Sequence, residues 1–153
     1  MRVSDIKVLP IAYVILFGIM MYVSSELFPS YAFELENAWF LSTVVFFLGV
    51  SITAISGLQF RKSSTTVNPL TPEKTSCLVV TGIYRFSRNP MYVGFFLFLF
   101  SVSIYLTNVV TLFFLPLFSL IINKFQIQPE EKVLETIFGD EYRQYLKSVR
   151  RWV

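Results

Sequence analysis

The 153 residues contain no histidine and a single cysteine, Cys77. The first absence excludes imidazole from acid–base work and from metal ligation. The second excludes an intramolecular disulfide and leaves a structural zinc site without its ligands. Charge is also scarce. Asp, Glu, Lys and Arg make up 15% of the chain, against roughly a quarter in ordinary soluble domains. The net charge of +3 is small and the positive residues are not run together. They read as membrane-topology signals and not as a nucleic-acid footprint.

What is present is apolar. Hydrophobic residues form 54% of the chain, and Phe is the commonest aromatic. The length suits one domain, and the composition predicts an all-α polytopic membrane protein with about four transmembrane helices. The spans are expected at about 8–23, 38–60, 90–106 and 109–125. The first has Pro10 near its start, where proline is tolerated, and no small-residue cleavage site follows it, so it reads as a retained span. The second would reach roughly 35 Å at the helical rise. Its Gly49, Thr53 and Gly57 recur every four residues, which is either a stripe for close helix approach or ordinary glycine content. The last two spans form a helical hairpin turning at Thr107-Asn108, with Pro116 expected to kink its second arm and Lys124 to end it. Residues 126–153 are charged and amphipathic. Gly139 followed by Asp140 predicts a helix stop and a new start, hence two short C-terminal helices on the membrane surface or folded back over the 61–89 loop.

Lys and Arg concentrate in the N-terminus, the 61–89 loop and the C-terminal segment, whereas the 24–37 connection carries Glu26, Glu34 and Glu36 and no positive residue. Four spans with both termini in the cytosol satisfy the positive-inside rule. The 61–89 and 126–153 segments then share the cytosolic face of an integral, most simply inner or cytoplasmic, membrane protein.

At that face the most unusual stretch is Thr81-Gly82-Ile83-Tyr84-Arg85-Phe86-Ser87-Arg88-Asn89-Pro90-Met91-Tyr92-Val93-Gly94. A plain explanation exists for each part. Asn89 is a good N-cap and Pro90 a favoured first helical residue. Arg85 and Arg88 can be leaflet anchors, and Tyr92 a belt residue. Glu130 and Glu131, following Pro129, suit the first turn of a helix by the macrodipole.

Taken together, the two blocks say more. Gly82-x-Tyr84-Arg85-x-Ser87-Arg88-Asn89-Pro90-x-Tyr92-x-Gly94 resembles the signature of the isoprenylcysteine carboxyl methyltransferase and phospholipid methyltransferase superfamily. Glu130-Glu131-x-x-Leu134-x-x-x-Phe138-Gly139-x-x-Tyr142-x-x-Tyr145-x-x-x-Val149-x-Arg151-Trp152 is similar to its second block, and Thr65-Thr66-Val67-Asn68-Pro69 looks like bacterial members. The resemblance covers the chain from about Arg61 onward. It implies an integral membrane enzyme using S-adenosyl-L-methionine, bound between the two blocks by Tyr84, Arg88, Asn89, Pro90, Tyr92, Gly94, Glu130 and Glu131, with Arg88 and Glu131 as the catalytic candidates and no metal.

The chemistry of such a ligand suits those residues. Its carboxylate wants Arg88 or the helix start at Pro90. Its ammonium wants Glu130 or Glu131, and its sulfonium and adenine want the faces of Tyr84 and Tyr92. A carboxylate or thiolate acceptor needs no general base, so the missing histidine is no obstacle; alignment and exclusion of water do most of the work. The implied acceptor is a lipophilic or lipidated molecule in the bilayer. Isoprenylcysteine-type O-methylation, phospholipid-type N-methylation and a non-enzymatic membrane scaffold remain the three readings. Two departures matter. Asn89 stands where many members have histidine, which removes proton transfer at that position. Gln126-Ile127-Gln128-Pro129 stands where prenylcysteine-specific members carry an arginine, and the nearest base is Lys124.

Overall fold

Pro10 opens the first helix, α1 (Pro10–Leu27), at a position where its missing N–H has no partner to lose. The computed structural model describes residues 9–62 and 78–153; the 65–69 stretch, Pro72 and Cys77 lie outside the described residues. α1 runs four residues past the expected end at Val23, through Ser24 and Ser25. Their hydroxyls donate back to the carbonyls of Met20 and Tyr22, both at 2.7 Å, so two polar residues continue the helix without open donors. α2 (Ala38–Lys62) follows the acidic connection.

α3 (Pro90–Leu106) ends where Thr107 takes a left-handed conformation (φ 45°). Asn108 then caps α4 (Val109–Leu112), its side-chain oxygen accepting from the Val110 amide at 2.9 Å. The returning arm is broken at Phe113 before α5 (Phe114–Ile122). Pro116 has no N–H for the carbonyl of Leu112, which is where the interruption falls.

Beyond α5 the structure departs from expectation. Lys124 does not end the arm. The chain passes through a π turn (Asn123–Ile127) directly into α6 (Gln128–Ser148). Pro129 cannot donate to the carbonyl of Phe125, and the helix widens over that place instead of stopping. Gly139 (φ 52°, ψ −121°) kinks α6, so the two expected C-terminal helices are the two limbs of one bent element. That element folds back over the 82–89 segment.

Pro10–Leu27, Ala38–Arg61 and the helical run from Val109 are long and apolar enough to cross a membrane, and Pro90–Leu106 is a shorter apolar helix. The chain is therefore an all-α polytopic membrane protein, with no strand among the described residues. The core lies where α1, α3 and α5 meet: Val14, Phe17 and Met21 pack with Tyr92, Leu99, Leu115, Phe118, Ile122 and Ile127. Outward residues such as Ile15, Ile19, Phe40, Phe47 and Leu48 are apolar and exposed, as a lipid-facing surface requires.

α2 touches the bundle mainly through α3. The crossing is closest at Gly49 and Gly94, where a Cβ on Gly94 would lie 2.7 Å from the Gly49 carbonyl oxygen and would also overlap the Thr53 hydroxyl. Nothing lies within 4 Å of a Cβ on Gly57. Two members of the small-residue stripe thus make the contact and the third does not. Gly94→Ala should destabilise the protein by about 1–3 kcal/mol through overpacking, whereas Gly57→Ala should be neutral or slightly stabilising. Thermal unfolding in detergent separates the two outcomes.

Candidate functional site

The site begins where the second described segment approaches α3. Gly82 (φ 61°) permits a tight 3-10 turn, Gly82–Arg85, against the end of α2. Gln59 holds the turn there, its side-chain oxygen accepting from the Ile83 amide at 3.2 Å. Tyr84 is buried in this turn, with its ring edge-on to Phe60 at 5.1 Å. Its carbonyl accepts the Tyr145 hydroxyl at 2.7 Å, which ties the turn to the far limb of α6.

Ser87, Arg88 and Asn89 lead into α3. Asn89 occupies the N-cap position, but its side chain does not cap the helix. Its amide instead donates to the carbonyl of Arg151 at 2.9 Å, and its own carbonyl accepts from the amides of Tyr92 and Val93. The C-terminal tail supplies a carbonyl in need of a donor, and that competes successfully for the Asn89 side chain. The Arg88 amide donates to the carbonyl of Arg150 at 3.0 Å, and the Ser87 hydroxyl lies 3.4 Å from the Arg151 carbonyl. Residues 87–89 and 150–151 thus run side by side.

The charged centre is built from α6, the π turn and this tail. Arg88 reaches Glu131 at 3.1 Å through one terminal nitrogen and the Leu146 carbonyl at 3.1 Å through the other. Its Nε is buried and makes no hydrogen bond among the described residues. Arg151 grips Glu131 with two bonds, Nε to Oε1 at 3.2 Å and Nη2 to Oε2 at 2.6 Å, and its third nitrogen donates to Asn123 of the π turn at 3.1 Å. Glu131 is therefore shared by two guanidiniums. Its neighbour differs. Glu130 accepts a 2.6 Å hydrogen bond from the Tyr92 hydroxyl. Part of the residue is open, but protein atoms surround the carboxyl. That burial pushes the Glu130 carboxyl up to about 8, with the Glu131 charge adding to the rise and the Tyr92 bond opposing it. The Tyr142 and Tyr145 phenols are buried alongside, and burial holds both well above the ordinary range.

Of the residues singled out from the sequence, Arg88, Asn89, Tyr92, Glu130 and Glu131 meet in one place. Pro90 is buried at the start of α3 between them. Tyr84 lies at the border, on the α2 side. Gly94 does not face the cluster; it faces α2. Four contributors were passed over: Arg151, Asn123, Tyr142 and Tyr145. Arg151 and the tyrosines stand inside the second sequence block, so their spacing held the signal. Asn123 carried none.

An orphaned guanidinium nitrogen, an excess of two arginines over one carboxylate, and a second carboxyl held by a tyrosine suit a ligand with both an anionic and a cationic group. S-adenosyl-L-methionine, with its carboxylate and ammonium, is such a ligand, and the residues present fit it.

Comparison with known proteins identifies the family. A family model described as phospholipid methyltransferase matches residues 37–141. A protein-S-isoprenylcysteine O-methyltransferase of Schizosaccharomyces pombe is 33% identical over 127 residues, which is 80% of this chain and 52% of the relative. A probable protein-S-isoprenylcysteine O-methyltransferase of Oryza sativa is 30% identical over 129 residues, covering 80% of this chain and 64% of the relative. An uncharacterized protein of Haemophilus influenzae is 44% identical over 63 residues, 41% of this chain and the whole of the relative. The chain thus spans about half the length of the yeast relative and under two thirds of the rice one. No solved structure matches it. The family model covers most of the chain, including α2, the 82–89 segment, the hairpin and the paired glutamates, and on that ground the protein belongs to the phospholipid methyltransferase and isoprenylcysteine methyltransferase superfamily.

Proposed function

We propose that this protein is a membrane enzyme that transfers a methyl group from S-adenosyl-L-methionine to a lipophilic or membrane-associated acceptor, at the cytosolic face, with four spans and both termini in the cytosol. The observation that carries the reading is the meeting of the two blocks. Tyr92 and Glu130 lie 2.6 Å apart across the hairpin, and Arg88 and Glu131 lie 3.1 Å apart beside them.

When bound, S-adenosyl-L-methionine would supply an electrophilic methyl on a sulfonium sulfur, with a neutral thioether as the leaving group. The chain's own residues bind and align. Arg88 would hold the carboxylate and Glu130 the ammonium. Glu131 is engaged by two arginines and fixes Arg88 in place; it does not receive the ammonium itself. Tyr92 fixes the Glu130 carboxyl through its hydroxyl. Alignment and exclusion of water provide the rate enhancement. The yeast and rice relatives are named for O-methylation of isoprenylcysteine, which favours a carboxylate acceptor. That acceptor forms an ester and releases no proton.

One observation favours a second reading. An amine acceptor must lose a proton, and in that reading Glu130, ionised above about pH 8, takes it instead of pairing with the ammonium. This fits the phospholipid description of the family model. Purified protein should transfer labelled methyl from S-adenosyl-L-methionine into a membrane lipid extract. Label lost on mild base marks an ester, and label retained marks an amine. No label in any lipid or lipidated peptide, with folded protein, would contradict both readings.

A further inference from the structure

The C-terminal tail is bound to the site twice through one residue. The carbonyl of Arg151 takes the side chain of Asn89, and its guanidinium takes both oxygens of Glu131. The next residue, Trp152, packs against the hydrophobic core, which fixes the tail where it lies. The charges follow from this geometry. Arg88 and Glu131 alone would form a neutral pair, with little reason to attract an anion. Arg151 draws the same carboxylate to itself through a bidentate fork, at 2.6 and 3.2 Å, against a single 3.1 Å contact to Arg88. Bidentate guanidinium–carboxylate pairs are the stronger kind. Two cations then share one anion, and the excess positive charge resides on Arg88, whose Nε is the unbonded buried donor.

We infer that Arg151 is a positioning residue: by occupying Glu131 it leaves the Arg88 guanidinium with charge and a donor to offer the carboxylate of the bound cofactor. The inference rests on the proposed use of S-adenosyl-L-methionine and deepens it, because it makes the last residues of the chain part of the binding site. Asn123 completes the arrangement by accepting the third Arg151 nitrogen, which fixes the plane of the fork.

The test compares two ligands that differ only in the carboxylate. These are S-adenosyl-L-methionine and decarboxylated S-adenosylmethionine, measured by equilibrium binding to the purified full chain in detergent without an acceptor. Arg151→Gln should weaken the first by about tenfold or more, the worth of one charge-assisted hydrogen bond, and change the second by less than about twofold. Arg151→Lys retains the charge without the fork and should give a smaller loss with the same selectivity. It also provides the readout if the glutamine variant does not fold. Equal weakening of both ligands would make Arg151 merely structural and overturn the inference, as would no change in either. If the wild-type protein binds neither ligand, the proposed cofactor reading fails and the inference falls with it. If the wild type binds both and the variants show no selectivity, only the role of Arg151 is lost.

Discussion

Glu131→Ala is expected to lower the stability of the ligand-free protein by about 3–5 kcal/mol, the usual penalty for removing one partner of a buried charge pair. The Arg88 side chain is only 10% exposed and that of Glu131 only 14%. Removing the carboxylate leaves two guanidiniums near each other with no anion between them, and the Arg88 side chain keeps only its bond to the Leu146 carbonyl. For a chain of this size the loss corresponds to a fall in unfolding temperature of roughly 6–20 °C. The ion pairs of Arg143 with Glu135 and Asp140 provide the contrast. Arg143 is 60% exposed, and water and salt screen pairs of that kind so that they contribute little. Thermal unfolding in one detergent at neutral pH should therefore separate Glu131→Ala clearly from Arg143→Ala. Equal effects would mean that the Arg88–Glu131–Arg151 cluster is solvated and contributes nothing special.

The second large effect is on pH. Because burial raises the Glu130 carboxyl to about 8, the ligand-free protein at neutral pH holds it mostly as the acid. An ammonium partner needs the carboxylate. Well below pH 8 each unit of acidity should weaken cofactor binding by about tenfold, which gives roughly 50-fold between pH 8 and pH 6. Glu130→Gln should bind weakly and without this slope. The same shift acts on stability with the opposite sense. A carboxyl whose folded value lies above its unfolded value favours the folded state most below about 4.5, and that contribution disappears as pH rises through about 8. The ligand-free wild type should therefore be more stable at pH 6 than at pH 9, and Glu130→Gln should lack that difference. Binding isotherms and melting curves across this range measure both. A cofactor affinity that rises on acidification would rule out Glu130 as the ammonium partner.

Much of this site was legible in the sequence because its parts sit next to strong local signals. Pro90 fixes the start of α3, and the glutamates follow Pro129 at the start of α6. The hairpin between them returns the chain to the same side, so Tyr92 and Glu130 can meet. What escaped the sequence depends on contacts between distant residues. Asn89 is an excellent N-cap in isolation, yet the tail carbonyl at Arg151 takes its side chain. Glu130 and Glu131 are equivalent by type and position. Only the bidentate grip of Arg151 on one and the Tyr92 hydroxyl on the other gives them separate tasks. Gly94 belongs to the same motif as Tyr92, but two residues along a helix point away from each other, and it serves the α2 contact instead. The π turn was hidden because Pro129 reads as a helix start when the helix before it is assumed to have ended.

We propose that the two blocks together form a binding site for S-adenosyl-L-methionine. Equilibrium binding of that ligand to purified wild-type, Arg88→Ala and Glu130→Ala protein in detergent tests it most directly, with folding checked separately. Saturable binding by the wild type, weakened by about tenfold or more in each variant, is the expected result. No binding at millimolar ligand, or an affinity unchanged in both variants, would contradict it.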